Sequence, residues 1–160
     1  MIEPQKIRGE DDGMEILCAY AFLRQINGRY ESRFNTCLDS LFMKSSEPIL
    51  LELEEICADS RKTIDRLIRH IRYEAPILRT EVFSRELMRD LKELYEDFPG
   101  SLTELCRLYS GLWALVCDAL PGNAAYEEPF LSLSYAGDPL AWGDEQQTRQ
   151  LLEGAFRYFG

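Results

Sequence analysis

Two sets of carboxylates stand at helical spacing in this chain. Glu52, Glu55 and Asp59 follow one another in steps of 3 and 4, and Glu86, Asp90, Glu93 and Asp97 do the same. Such steps put each set on one face of a helix. All-helical Mg²⁺-dependent nucleotide hydrolases hold their metal on carboxylates spaced this way, the metal gripping phosphates and activating water. A local explanation competes. Asp59 can pair with Lys62, and Glu86 and Glu93 can pair with Arg89 and Lys92. Both sets lie opposite the apolar stripes of their helices, so they are expected to face solvent. No metal ligand and no cofactor is assigned.

The remaining catalytic inventory is thin. His70 is the single histidine. Without a second there is no HExxH zinc site and no His-assisted di-iron site. A Ser-His-Asp or Cys-His arrangement would have to use His70, and no GxSxG supports one. There is no P-loop and no GxGxxG. The chain is not expected to be an enzyme. The 5 cysteines, Cys18, Cys37, Cys57, Cys106 and Cys117, form no CxxC pair, and each adjoins an aliphatic residue. They read as reduced core thiols. Cys106 alone is followed by a cation, Arg107.

Lys62, Arg66, Arg69 and Arg72 form a basic stripe. It could take an acidic partner or a phosphate, or it could be a solvated face with an internal Asp65 to Arg69 pair. Few aromatics flank it, so stacking of nucleic-acid bases is not indicated.

Charge and length bound the rest. The chain has 160 residues and a formal net charge of −10. The length suits one domain able to bury a core without disulfides or a metal. The acidity disfavours nucleic acid and anionic membrane and favours a basic protein partner. The start, MIEPQKIRGEDDG, has charges where a signal peptide needs an apolar run, and nothing approaches the ~20 apolar residues that span a bilayer. A cytoplasmic location is expected.

The elements that must position these groups read as helices. Residues 1–12 are polar and expected to be flexible; residues 13–160 are expected to form a single helical domain. Leu17, Cys18, Ala21, Phe22 and Ile26 recur at helical spacing, Gly28 interrupts, and Phe34, Cys37, Leu38, Leu41 and Phe42 resume. Ser45 to Pro48 opens a long helix running to about Glu74, with Pro76 as its stop. Thr80 opens a helix presenting Phe83, Leu87, Leu91, Leu94 and Phe98. Ser101 with Glu104 caps LTELCRLYSGLWALVCDAL, which is apolar nearly all round and expected to be central and buried. Pro121-Gly122-Asn123 ends it. Asp144 with Gln147 caps a last helix.

One connection stands out, residues 121–143. Leu131, Leu133 and Tyr135 alternate with Ser132 and Ser134, a short strand pattern, and Tyr-Ala-Gly-Asp-Pro is turn chemistry. One reading is a clamp, with Phe130, Leu133, Tyr135, Leu140 and Trp142 plugging the helix ends. The other is a recognition surface, since Tyr and Trp most often anchor interfaces. Its partner-binding candidates are Tyr126, Glu127, Glu128, Tyr135, Asp138, Trp142 and Asp144. The sequence therefore predicts an all-α, single-domain bundle of five or six helices, with an extended aromatic crossover before the last. The leading function is a small acidic protein-binding module that occludes a basic partner: an immunity protein, an inhibitor or a chaperone-like adaptor. The alternatives are the metal-dependent helical hydrolase and a structural subunit of a larger assembly. Oligomeric state is not indicated.

Overall fold

A computed structural model describes residues 12–74, 79–120 and 122–159. The expected flexible start falls almost wholly outside them, as do the helix stop at Pro76 and the Pro121 at the end of the apolar helix. Every regular element is helical. The described residues form eight α-helices with no strand, where the sequence predicts five or six. They group into two compact units, Met1–Phe83 and Ser84–Gly160, where one bundle is predicted.

In the first unit α1 (Gly13–Arg24) and α2 (Tyr30–Lys44) pack together on either side of the predicted break. The Asn27 side chain accepts from the Arg29 amide at 2.9 Å and so shapes the turn. Of the predicted apolar positions, Leu17, Cys18, Ala21, Phe22, Phe34 and Leu38 are buried, Ile26, Cys37 and Leu41 are half-buried, and Phe42 is exposed. Arg79, just before α5, forms ion pairs with Asp12 and with the buried Glu15, which ties down the first turn of α1.

The predicted long helix is broken. α3 (Pro48–Ile56) stops, and α4 (Ser60–Arg69) starts afresh before running into a π-helical turn, His70–Glu74. The cause is Asp59. Its backbone is extended (φ −100, ψ 103), and its carboxylate accepts from the Lys62 amide at 3.0 Å. The chain groups exposed by the break find partners. Thr63 donates to the Asp59 carbonyl at 2.9 Å, and Gln25 donates to the Ser60 carbonyl at 2.9 Å. Arg24 donates to the Cys57 carbonyl at 2.8 Å while its guanidinium lies 4.4 Å over the Phe34 ring. Burial lowers the Arg24 pKa, and the Glu31 charge opposes that shift. The acids Glu52, Glu54 and Glu55 therefore lie on α3, and the bases Arg61, Lys62, Arg66 and Arg69 on α4.

The boundary between units falls within α5 (Thr80–Asp97). The stripe Phe83, Leu87, Leu91, Leu94 is buried, but so are Glu86 and Asp90, at 6% and 2% exposure. The expectation that this acidic face is solvated is corrected for Glu86 and Asp90, whereas Glu93 is half-buried and Asp97 exposed: only the first half of the face is covered. In the second unit α6 (Leu102–Ala119) buries Leu105, Tyr109, Leu112, Val116 and Ala119. It is not buried all round. Thr103, Arg107, Ser110, Gly111, Ala114 and Asp118 are exposed, small or polar residues that make a second stripe. Tyr109 donates its hydroxyl to the Leu91 carbonyl, and the Phe156 ring meets those of Tyr95 and Tyr109 at 5.4 and 6.2 Å.

The extended crossover is also corrected. Residues 124–143 fold as a 3₁₀ turn (Ala124–Tyr126), α7 (Phe130–Tyr135) and a second 3₁₀ turn (Asp138–Trp142) before α8 (Glu145–Phe156). The Leu/Ser alternation conceals a spacing of three: Phe130, Leu133 and Ala136 are the residues buried. A short apolar run serves either period, and here packing chooses the helical one. Gly143, at φ +80, takes the left-handed turn that brings the chain to the Asp144 cap.

Replacing Asp59 with Ala should cost about 1 kcal/mol in urea unfolding, while Asn should retain most of the stability. An unchanged midpoint in Asp59→Ala would show that the break does not depend on this cap.

Candidate functional site

The basic stripe is only partly available. Arg66 donates to Glu52 at 2.8 Å and to Glu74 at 3.0 Å, so it bridges α3, α4 and the π turn. His70 Nδ1 lies 3.0 Å from the same Glu74 oxygen. The Glu74 carboxyl is held below its ordinary value, first by Arg66 and then by His70. Lys62, Arg69 and Arg72 are exposed, the Arg72 guanidinium 5.9 Å from the Tyr73 ring centre. His70 thus sits at the helix edge as its position predicts, tied to Glu74 rather than to a nucleophile.

The carboxylate sets do not assemble a metal centre. Glu52 is engaged by Arg66, and Glu86 lies 3.4 Å from Arg89. Among the described residues no group of three His, Cys, Asp or Glu side chains is placed to hold an ion.

The second unit contains a cleft that sequence reasoning missed. It is a solvent-open groove of about 350 Å³ between α6 and the chain from Leu133 to Ala141. Thr103, Cys106, Arg107 and Ser110 form one wall, because steps of 3 and 4 place them on one face of α6. Ser134, Asp138, Leu140 and Ala141 form the other, with Leu133 and Gly137 at the join. The two walls meet closely. A Cβ on Gly137 would lie 3.1 Å from the Cys106 Cβ, so glycine is what lets the end of α7 settle on α6. Burial raises the Cys106 pKa, and the adjacent Arg107 does not reverse it. The thiol lines the cleft, and its raised pKa lowers the thiolate fraction at neutral pH. The signal for this cleft was present in Thr103, Arg107 and Ser110, polar residues at helical spacing within an apolar segment.

The aromatic candidates split. Phe130 and Leu133 pack, as the clamp reading predicts. Tyr126, Tyr135 and Trp142 are exposed at 56%, 40% and 68%, so Tyr135 and Trp142 plug nothing. Tyr126 is nonetheless fixed: its ring stands edge-on to Trp113 at 5.7 Å. The Trp113 indole donates to the Ala125 carbonyl at 2.8 Å, and a bond to the Cys117 thiol raises the Tyr126 pKa. Glu127 is exposed, and Glu128 accepts from the Ser132 hydroxyl at 2.8 Å. Asp138 lines the cleft, the single member of the predicted set that does. Tyr135 and Trp142 follow the cleft residues Ser134 and Ala141 directly in the chain. Asp144 is used structurally: its carboxylate accepts from the Gln147 amide at 3.0 Å to cap α8.

No family model matches this chain, and no curated protein or solved structure shows significant similarity to it. None of the helices described is long and apolar enough to cross a membrane.

Two outcomes follow from these environments. The Glu74 carboxylate has a folded pKa below its unfolded one, so its stabilising effect is present above the unfolded value and lost as pH falls through the folded one. Glu74→Gln should therefore melt below the parent chain at neutral pH, and the gap should close under acid. A gap independent of pH would remove the ionic explanation. Cys106 should react with iodoacetamide more slowly than a free thiol at neutral pH, read by peptide mapping; faster labelling would contradict its burial.

Proposed function

We propose that this chain is a small, acidic, cytoplasmic protein-binding module that acts by covering a basic partner, in the manner of an immunity protein, inhibitor or chaperone-like adaptor. It binds rather than catalyses. One observation carries the reading. Tyr126, Tyr135 and Trp142 are large aromatic side chains left exposed on a segment whose neighbouring side chains, Glu127, Glu128 and Asp138, are exposed acids. Tyr and Trp anchor interfaces because they bury much area at little conformational cost. The surrounding charge agrees. Residues 84–160 carry 6 basic and 13 acidic side chains, a net of −7, against 12 and 15, a net of −3, for residues 1–83. Such an excess attracts a basic protein and orients its approach.

A structural-subunit reading draws on a different surface. Phe42, Met43 and Leu51 in the first unit are exposed at 41%, 83% and 55%. The hydrolase reading draws less, since Glu52 and Glu86 are committed to arginines.

The test is affinity capture from native extract at low and high salt with the parent chain and Tyr135→Ala/Trp142→Ala. A stoichiometric basic protein should be retained at low salt and released by high salt. Against that protein once purified, the double variant should dissociate about tenfold faster or more, with its circular dichroism unchanged. Loss of folding would return these residues to a packing role, and an empty capture at both salts would remove the stable-partner reading.

A further inference from the structure

The cleft in the second unit has a property that the protein-binding surface does not explain. Its two walls carry opposite charges, Arg107 on α6 and Asp138 at the start of the second 3₁₀ turn. Among the described residues neither side chain enters an ion pair or a side-chain hydrogen bond. Both are exposed and available. Hydroxyls stand on each side, Thr103 and Ser110 with Arg107, Ser134 with Asp138. Ser134 spends its proton on the Leu131 carbonyl at 2.7 Å, which leaves its oxygen to accept. Leu133 and Gly137 lie where the walls join, and Cys106 on one wall and Leu140 and Ala141 on the other add apolar lining.

We propose that this cleft binds a small zwitterion of the amino-acid or dipeptide class, its carboxylate on Arg107 and its ammonium on Asp138. Charge decides against simpler ligands. A plain carboxylate would find Arg107 but would enter a unit of net charge −7. A plain cation would find Asp138 and meet Arg107. A dipolar ligand satisfies both walls at once and carries no net charge into the field. Arginine suits the carboxylate end because its planar guanidinium can bond both oxygens. The ammonium, with three donors, matches an acceptor-only carboxylate beside the Ser134 oxygen. Size agrees, since about 350 Å³ lies at the lower end of the range for small-molecule sites. A short aliphatic side chain would rest on Leu140 and Ala141. The site shares Asp138 with the surface proposed to dock a basic partner, while its other anchor, Arg107, belongs to the cleft alone.

The experiment uses the full chain, ¹⁵N-labelled, titrated with three probes: L-alanyl-L-alanine, N-acetyl-L-alanine and L-alaninamide. The dipeptide carries both charges, the second probe only the anion and the third only the cation. Saturable amide shifts are expected for the dipeptide at Cys106, Ser110, Gly137 and Ala141. Each singly charged probe should bind about tenfold more weakly or worse, as should the dipeptide to Arg107→Ala or Asp138→Asn. Both side chains are exposed, so spectra away from the cleft should stay superimposable and report an intact fold. Absence of saturation at tens of millimolar dipeptide overturns the proposal. So do equal affinities for the three probes, insensitivity to both substitutions, or shifts centred elsewhere. A pentalysine peptide that shifts the cleft amides where the dipeptide does not would also overturn it and assign the cleft to the protein-docking surface, so this failure is separate from that of the partner reading.

Discussion

In the second unit the main chain at Gly137 presses against the Cys106 side chain, at a distance where a Cβ would stand 3.1 Å from the sulfur-bearing carbon. Real Cβ contacts are rarely so close, and the rest of the local structure depends on this approach being possible. It lets a helix of only 6 residues, α7, end directly on α6. It sets the floor of the cleft, and it fixes where the second 3₁₀ turn begins. That turn carries Asp138 to one rim and Trp142 into solvent, and the left-handed Gly143 then returns the chain to the Asp144 cap. The segment is held by this close approach, by the buried Phe130, Leu133, Ala136 and Pro139, and by the Asp144 cap.

The same segment shows how packing and exposure divide within a few residues. Phe130, Leu133, Ala136 and Pro139 recur every third residue and turn inward. The residues between them are free to face solvent, and Tyr135 and Asp138 sit there; Trp142, three residues after Pro139, would continue the inward series but is exposed. The fold needs the first set. Nothing in the packing needs an indole at position 142 to be 68% exposed, since large apolar area in water is unfavourable unless something covers it.

The all-helical character was legible because periodicity and punctuation agreed. The Asn27-Gly28 break, Pro48 in a first turn, Ser101 with Glu104, and Asp144 with Gln147 all sit where their chemistry places them. What escaped were features in which two local signals overlap. The apolar stripe from Leu50 to Ile71 reads as continuous, yet Asp59 caps a new helix within it, because a cap acts on the backbone and leaves no gap in a hydrophobic pattern. Leu131 to Tyr135 alternates like a strand while also repeating every third residue. In α6 the density of apolar residues hid a face of Thr103, Arg107, Ser110 and Gly111. The candidate aromatics were visible as residue types, but whether each was covered depended on contacts distant in sequence, such as Tyr126 against Trp113. Arg107 and Asp138 lie 31 positions apart, and only the approach of α7 to α6 places them on one cleft.

The two tryptophans occupy unlike surroundings within the same unit. Trp113 is half-buried, its indole bonded to the Ala125 carbonyl and faced by the Tyr126 ring, whereas Trp142 is largely in water. The native fluorescence is therefore a sum of two emitters, one partly shielded and one open to collisional quenchers such as iodide. The shielded indole reports on the integrity of the fold, and the open one reports on whatever comes to rest on the surface beside it. The protein carries, without any label, both a probe of the exposed surface around Trp142 and the internal reference against which to read it.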